Sequence, residues 1–284
     1  MTAIKPMLCR TELKPVNSPD IIWERKYDGI RLLALVDGSN VKLQARSGSN
    51  KTGLFPDLRI QTKLPAILDG EVISGNSFHN IQHRANRQNG IAQAAKEYPA
   101  VYHVFDILEC AGSNLESVPL SQRKELLSKI LMPTANMIEA EFFSDGLSLI
   151  NMAKVEGWEG IIGKDTRMGY RQNKRDWIKV KIWVEGTFMV VGYTKGTGWR
   201  EPYFGALVLG EFVHDEMYCV GEVGTGFNDG DITDLMRLFS PGTCPFSREP
   251  EPATWVKPFA IKVRYMERTN SGMLRFPSFK GVVK

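Results

Sequence analysis

Three short stretches carry side chains that could act together on a phosphate. The first is Glu24-Arg25-Lys26-Tyr27-Asp28-Gly29-Ile30-Arg31, at the end of the apolar run Ile21-Ile22-Trp23. It sets an amine, a carboxylate and a guanidinium within one turn of backbone, and Gly29 lets the chain bend there without a side-chain clash. Cations crowding Lys26, Arg31 among them, would push the amine towards its neutral, nucleophilic form. The second stretch is Ile67-Leu68-Asp69-Gly70-Glu71-Val72-Ile73. In a strand, two carboxylates two residues apart share a face, and in apolar surroundings they need a counter-charge or a metal. The third is Trp177-Ile178-Lys179-Val180-Lys181-Ile182, whose alternation puts Trp177, Lys179 and Lys181 on one face. Lysines at alternate strand positions suit a phosphate. On its own the octapeptide is equally readable as a surface turn with scattered charges.

The elements that must hold these groups follow from the pattern of apolar residues. Ile21 to Lys26 reads as a strand. Arg31 to Val36 and Val41 to Arg46 flank Asp37-Gly38-Ser39-Asn40, a hairpin signal. Leu64 to Ser74 and Val101 to Leu108 read as buried strands. Ser77 to Tyr98 reads as a helical surface segment, with Arg84 and Arg87 facing a polyanion. Leu120 to Leu131 is an amphipathic helix, Met137 to Phe143 a strand, and a helix capped by Asp145 or Ser148 runs to Glu156. Beyond Glu185 the character changes to short strands with glycine-rich turns and one helix, Asp231 to Phe239. That pattern predicts a small barrel of OB type.

The chain of 284 residues is 43% hydrophobic and 24% charged, which is ordinary for a globular protein of one large or two smaller domains. No apolar run approaches a membrane span, and Met1 to Arg10 has no signal-peptide core. Cys9, Cys110, Cys219 and Cys244 are scattered, so a reducing cytoplasm is expected and a zinc site is not. Net charge is only +4, yet Lys164 to Lys181 holds seven Lys or Arg against two Asp, and Lys257 to Lys284 seven against one Glu. Two such islands suit a phosphate-rich partner, or are simply solvated basic faces.

Lys26-x-Asp28-Gly29-x-Arg31 resembles the nucleotidyl-acceptor motif of the covalent nucleotidyltransferases: DNA ligases, RNA ligases and capping guanylyltransferases. Further stretches match the same family in order. They are Arg46 after the hairpin, Leu68-Asp69-Gly70-Glu71, Phe105-Asp106, Glu159-Gly160-Ile161-Ile162-Gly163-Lys164 and Lys179-Val180-Lys181. Gly192-Tyr193-Thr194, Phe204-Gly205-Ala206-Leu207 and Val223-Gly224-Thr225-Gly226-Phe227 are similar to the OB domain of ATP-dependent DNA ligases. The segment Leu274 to Gly281 resembles the start of the last ligase motif. The chain departs from the family after Leu108, where a common tyrosine is missing, and at its end, which lacks the usual acidic and basic residues.

The resemblance implies an α+β fold: a nucleotidyltransferase domain of antiparallel sheets with helices over residues 1–184, then an OB domain over 185–284. It implies a minimal ATP-dependent DNA ligase, of the kind carried by phages, viruses or as an accessory bacterial enzyme. Its partner would be nicked double-stranded DNA, and it would act as a monomer away from membranes, in the host cytoplasm if phage-encoded. Lys26 would carry the adenylate. Asp28 would assist at the metal and the 3′-hydroxyl. Glu71 and Glu159 would hold Mg²⁺, or Mn²⁺ in its place. Glu24, Arg25, Arg31, Arg46, Phe105 and Trp177 would surround the nucleotide, Phe105 by stacking. Lys179 and Lys181 would neutralise phosphate, and Arg275, Lys280 and Lys284 would reach the leaving pyrophosphate. Two other functions share much of this pattern: an RNA ligase, and a catalytically dead OB-type nucleic-acid-binding protein.

Overall fold

The computed structural model describes residues 3–75, 78–247, 250, 253–269 and 271–283. It divides into two compact units, Met1–Ile182 and Trp183–Lys284. The strands of the first unit are β1 (Cys9–Glu12), β2 (Ile21–Arg25), β3 (Ile30–Asp37), β4 (Asn40–Ala45), β5 (Ala66–Ile73), β6 (Val101–Cys110), β7 (Ser113–Asn114), β8 (Met137–Glu139), β9 (Phe142–Phe143), β10 (Gly160–Asp165) and β11 (Trp177–Lys181). Its helices are α1 (Phe78–Ala85), α2 (Ile91–Glu97), α3 (Leu120–Ile130) and α4 (Gly146–Val155). One sheet runs β1-β11-β10-β2-β9; the other runs β4-β3-β5-β6-β7, with β8 paired to β6.

Strand parity decides what lies between the sheets. On β3, Leu32, Ala34 and Val36 enter a core shared with Ile81 of α1 and Leu127 of α3. Leu33 enters a second core with Met7, Ile67, Phe105, Tyr170 and Trp177. Both faces of β3 are therefore buried, which is why its sequence is a continuous apolar run. Leu68 and Val72 of β5 face the α1/α3 core, so Asp69 and Glu71 take the parity of Ile67 and face the other sheet. On β11, Ile178 and Val180 pack with Trp23, Leu149 and Ile161 against α4. Lys179 and Lys181 thereby share the face of Trp177. Two alternating patterns thus turn the acids of one sheet and the lysines of the other into the same gap.

Several elements differ from the sequence reading. The segment from Met137 to Phe143 is two strands in different sheets: β8 pairs with β6 and β9 with β2. The Ala140 amide donates to the Val104 carbonyl at 2.8 Å as the chain crosses from one sheet to the other. The predicted long surface helix is α1 and α2, separated at Gly90, where φ is +69°; its predicted first residue, Ser77, lies outside the described residues. Arg84 is 2% exposed, with its guanidinium on Asp57 at 2.6 and 2.8 Å and on the carbonyls of Leu54 and Tyr98. It holds the interior together and cannot face a polyanion. The parallel pairing of β1 with β11 has no counterpart in the expectations.

The second unit contains β12 (Val184–Lys195), β13 (Phe204–Val213), β14 (Glu216–Val223), α5 (Asp229–Leu238), β15 (Thr254–Tyr265) and β16 (Ser278–Val282). Their order is β14-β13-β12-β15-β16. This is an OB-like sheet, but among the described residues no ladder joins β16 to β14, so the expected barrel is not closed. Single bonds, Leu274 N to Val220 O and Phe279 N to Thr225 O, carry the last segment alongside β14. Phe188, Phe204, Leu207, Val223, Ile232, Leu235 and Phe279 form the core. Asn228 starts α5 with a reciprocal capping box to Asp231. Among the described residues no helix is long and apolar enough to cross a membrane, and the four cysteines are free thiols.

Candidate active site

A cleft of about 800 Å³ opens in the first unit, lined among others by Glu24, Arg25, Lys26, Arg31, Arg46, Glu71, Phe105, Ile162, Trp177 and Lys179. Lys26 sits just beyond β2, where its amide donates to the Gly160 carbonyl at 2.9 Å. Its ammonium is ion-paired with Glu159 Oε2, and Lys181 reaches the other oxygen of that carboxylate at 3.1 Å. The nearest charged partner of Lys26 is thus an anion, not the expected Arg31. Gly160 makes this approach possible: its φ is +150°, and a Cβ there would stand 2.1 Å from the Val180 carbonyl oxygen.

Glu71 lies opposite Arg31 in the β3–β5 register. Burial pushes its carboxyl up to about 8, helped by Asp69 and Glu159, while Lys26 and Arg31 pull the other way. Burial also lowers the Lys179 ammonium, and neighbouring Lys181 adds to this. Both shifts come chiefly from burial and fall on residues that line one cleft.

Arg31 is arranged differently from the expectation. Its Nε and Nη2 donate to the Asp69 carboxylate at 2.9 and 2.6 Å, and its Nη1 donates to the Met7 carbonyl at 2.5 Å. The Tyr170 hydroxyl donates to Asp69 at 2.7 Å and accepts from the Met7 amide at 2.9 Å. Burial works against the charge on Arg31, but Asp69 raises its pKa overall. Asp69, paired in the sequence reading with Glu71, is the fixed partner of Arg31.

Glu24 is 2% exposed and lies between two buried lysines, Lys124 and Lys164, each at 2.6 Å. Lys164 Nζ is 4.1 Å from the Phe105 ring centre and 4.2 Å from that of Trp177; burial lowers its pKa and Glu24 partly restores it. Phe105 and Trp177 meet edge to face at 5.7 Å. The Arg25 guanidinium covers Tyr27 and Trp158 at 5.2 and 4.9 Å. Tyr27 stacks on His103 at 4.1 Å, and burial, followed by Arg25, lowers that imidazole to about 4. Arg46 lines the cleft with an exposed side chain. Asp28 is half-buried and stands outside the lining.

The structure therefore brings together Lys26, Glu71, Glu159, Lys179 and Lys181, with Glu24, Arg31, Arg46, Phe105 and Trp177 around them. Arg275 and Lys280 belong to the second unit. There Arg275 is ion-paired with Glu267 and Lys280 is exposed on β16; Lys284 lies outside the described residues. Tyr170, Lys124 and Lys164 had no assigned role. Buried charge in apolar strands demanded partners for Glu24 and Asp69, but nothing in the sequence says which.

Among the described residues no cluster of three or more metal-ligating side chains occurs. The donors present, Glu71 and Glu159, are hard oxygens. That fits Mg²⁺, which is commonly held by one or two carboxylates together with substrate phosphates rather than by an all-protein cage.

Comparison with known proteins agrees with this geometry. The model of the ATP dependent DNA ligase domain matches residues 5–181, and that of the ATP dependent DNA ligase C terminal region matches 200–283. The multifunctional non-homologous end joining protein LigD of Mycolicibacterium smegmatis is 28% identical over 280 residues, covering 92% of this chain and 35% of that protein. DNA ligase 2 of Thermofilum pendens is 32% identical over 254 residues, covering 78% and 42%. The chain thus spans only about a third of the length of the LigD relatives. The crystal structure of the ligase domain of M. tuberculosis LigD superposes with a TM-score of 0.56 at 26% identity, covering 99% of this chain and 95% of that one. A Lig E DNA ligase structure shares the fold, with a TM-score of 0.69 at 17% identity. Because the first model alone spans more than half of the sequence and places its boundaries on the unit that holds the lysine cleft, the chain belongs to the ATP-dependent DNA ligase family.

Proposed function

We propose that this chain seals 5′-phosphate/3′-hydroxyl nicks in duplex DNA, using ATP to activate the phosphate. The observation that carries this is the contact of Lys26 with a carboxylate that a second lysine also holds, in a cleft whose opposite wall carries Glu71. Lys26 exchanges its partner Glu159 for the α-phosphate of ATP. Its ammonium first gives up a proton to solvent; the neutral nitrogen then forms a bond to phosphorus, and the bond to pyrophosphate breaks. Lys179 and Lys181 offset the charge that develops on the phosphoryl oxygens. The adenylate passes to the 5′-phosphate of the nick, which turns a poor leaving group into AMP. The 3′-hydroxyl then attacks that phosphate and AMP departs. Glu71 and Glu159 would hold Mg²⁺, which supplies Lewis-acid neutralisation of the reacting phosphates.

Phe105 offers one face for the base, and Glu24, fixed between Lys124 and Lys164, presents its carboxylate at the bottom of the cleft. Asp28 is assigned to the 3′-hydroxyl. The second unit would supply duplex contacts through its basic C-terminal region, with Arg275 and Lys280 reaching the pyrophosphate. The chain is assigned as a monomer acting in the cytoplasm, the compartment that its scattered cysteines suit.

Lys26→Ala tests this reading. The variant should form no AMP adduct with labelled ATP, yet should still seal a pre-adenylated nick, because that step needs no nucleophile. An acid-labile adduct on the variant, or equal loss of both steps in a folded protein, would overturn the assignment. A nick in duplex RNA sealed faster than one in DNA would favour an RNA ligase.

A further inference from the structure

The second unit carries an aromatic pocket far in character from the basic surfaces that suit DNA. A cleft of about 830 Å³ lies between the loop after β12 and the first turns of α5, lined by Trp199, Tyr203, Asp229, Ile232 and Thr233. Trp199 is 66% exposed and Tyr203 40%. The exposure does not come from a loose loop. Arg200 N, Glu201 N and Tyr203 N bond back to Thr197, Gly198 and Arg200 carbonyls at 3.2, 3.1 and 2.8 Å. The Arg200 guanidinium pins the loop to the Gly205 and Gly224 carbonyls at 3.2 and 3.0 Å. The turn is so tight that a Cβ on Gly196 would stand 1.9 Å from the Arg200 carbonyl oxygen. Holding a large indole in water on a built loop gives the fold nothing, and such a preorganised aromatic marks a binding site.

The charge around the pocket selects the occupant. Asp229 lines it, Glu201 is exposed on the same loop, and Asp231 and Asp234 follow on α5, with Arg237 paired to Asp234 at 3.0 Å. The nearby Arg200 is committed to backbone carbonyls and to the Trp199 ring, 5.1 Å away. A nucleobase could stack here, but its phosphate would meet carboxylates. A cation finds two exposed aromatic side chains and an acid lining one cleft, a combination that suits ammonium and guanidinium groups. We propose that this pocket receives an arginine or lysine side chain from a basic, extended segment of a partner protein. The pocket is built only from residues of the second unit and shares none with the lysine cleft.

The test uses the full chain and a fluorescein-labelled dodecapeptide of alternating Arg and Gly, read by anisotropy at physiological salt. Binding should saturate. It should weaken about tenfold or more in Trp199→Ala and in Thr233→Lys, which places a like charge in the pocket, and about threefold or more in Asp229→Asn. Glu216→Gln, at the start of β14, should change nothing, and self-adenylation should be unchanged in all four variants. Thr233→Lys decides the matter if Trp199→Ala fails to fold. Peptide affinity that ignores both variants, or falls equally in Glu216→Gln, overturns the proposal. So does Trp199-dependent binding of an oligothymidylate of the same length with none of the peptide, which would make this a nucleobase site.

Discussion

Asp69→Asn should be among the most damaging isosteric changes in the first unit. Asp69 is fully buried, and its partner Arg31 has a side chain 15% exposed. The carboxylate accepts two hydrogen bonds from the guanidinium and one from Tyr170. An asparagine keeps the shape but turns one acceptor into a donor facing Nε or Nη2, and leaves a cation in the interior without its anion. Breaking a buried ion pair from one side costs about 3–5 kcal/mol. Tyr170→Phe removes one bond to a charged acceptor and should cost about 1.5–3 kcal/mol. Replacing both members of the pair, as in Arg31→Met with Asp69→Leu, should recover most of the loss, since no unpaired charge remains, while self-adenylation stays impaired. Urea midpoints at unchanged slope measure the three changes, and labelled-ATP adduct formation measures the activity. Asp69→Asn within about 1 kcal/mol of the parent, or a double variant worse than the single one, would refute the reasoning.

Three further outcomes are expected. His103 is held neutral to about pH 4 in the fold but takes up a proton near 6.5 when unfolded, so stability should fall as pH drops from about 6.5 to 4; His103→Asn should flatten that part of a melting-temperature profile. Gly160→Ala must force a Cβ against Val180 O from a backbone at φ +150°, and should cost about 3 kcal/mol or more together with adenylation, checked by thermal melts and adduct formation. Arg275→Ala with Lys280→Ala should slow self-adenylation far more than sealing of a pre-adenylated nick in single-turnover assays; equal slowing would assign the tail to DNA or to stability.

Much of this architecture was legible because parity and apolarity are local properties. Arg31 to Val36 reads as one arm of a hairpin and is β3, and of the two candidate caps, Asp145 and Ser148, it is Asp145 that accepts from the Leu147 and Ser148 amides at the start of α4. The lysines of β11 share a face because Ile178 and Val180 need the other one. Most of the failures are long-range. Met137 to Phe143 reads as one strand, because nothing in seven residues reveals that its halves pair with β6 and β2 in different sheets. Arg84 looks like a surface cation until Asp57, a residue 27 positions away, is found against it. Gly90, with φ +69°, divides the helix in a segment whose composition suits helix throughout.

The same limit explains why Asp69 and Glu71 could not be told apart. Both lie on one strand, on one face, in equally apolar surroundings, and only their partners differ. Counting donors settles what this means for Arg31. A guanidinium has five N–H groups. Nε donates to Asp69, Nη2 to Asp69 and to Tyr170, and Nη1 to Met7 O. One N–H remains, on Nη1. Arg31 therefore cannot grip a phosphate with its fork, as the motif alone suggested; it can offer a single hydrogen bond and a fixed positive charge. We propose that bidentate contact to a phosphate or ribose falls instead to Arg46, whose exposed side chain lines the same cleft. The arginine inside the motif is fixed to Asp69 on the strand that carries Glu71, whereas the arginine outside it keeps an exposed side chain.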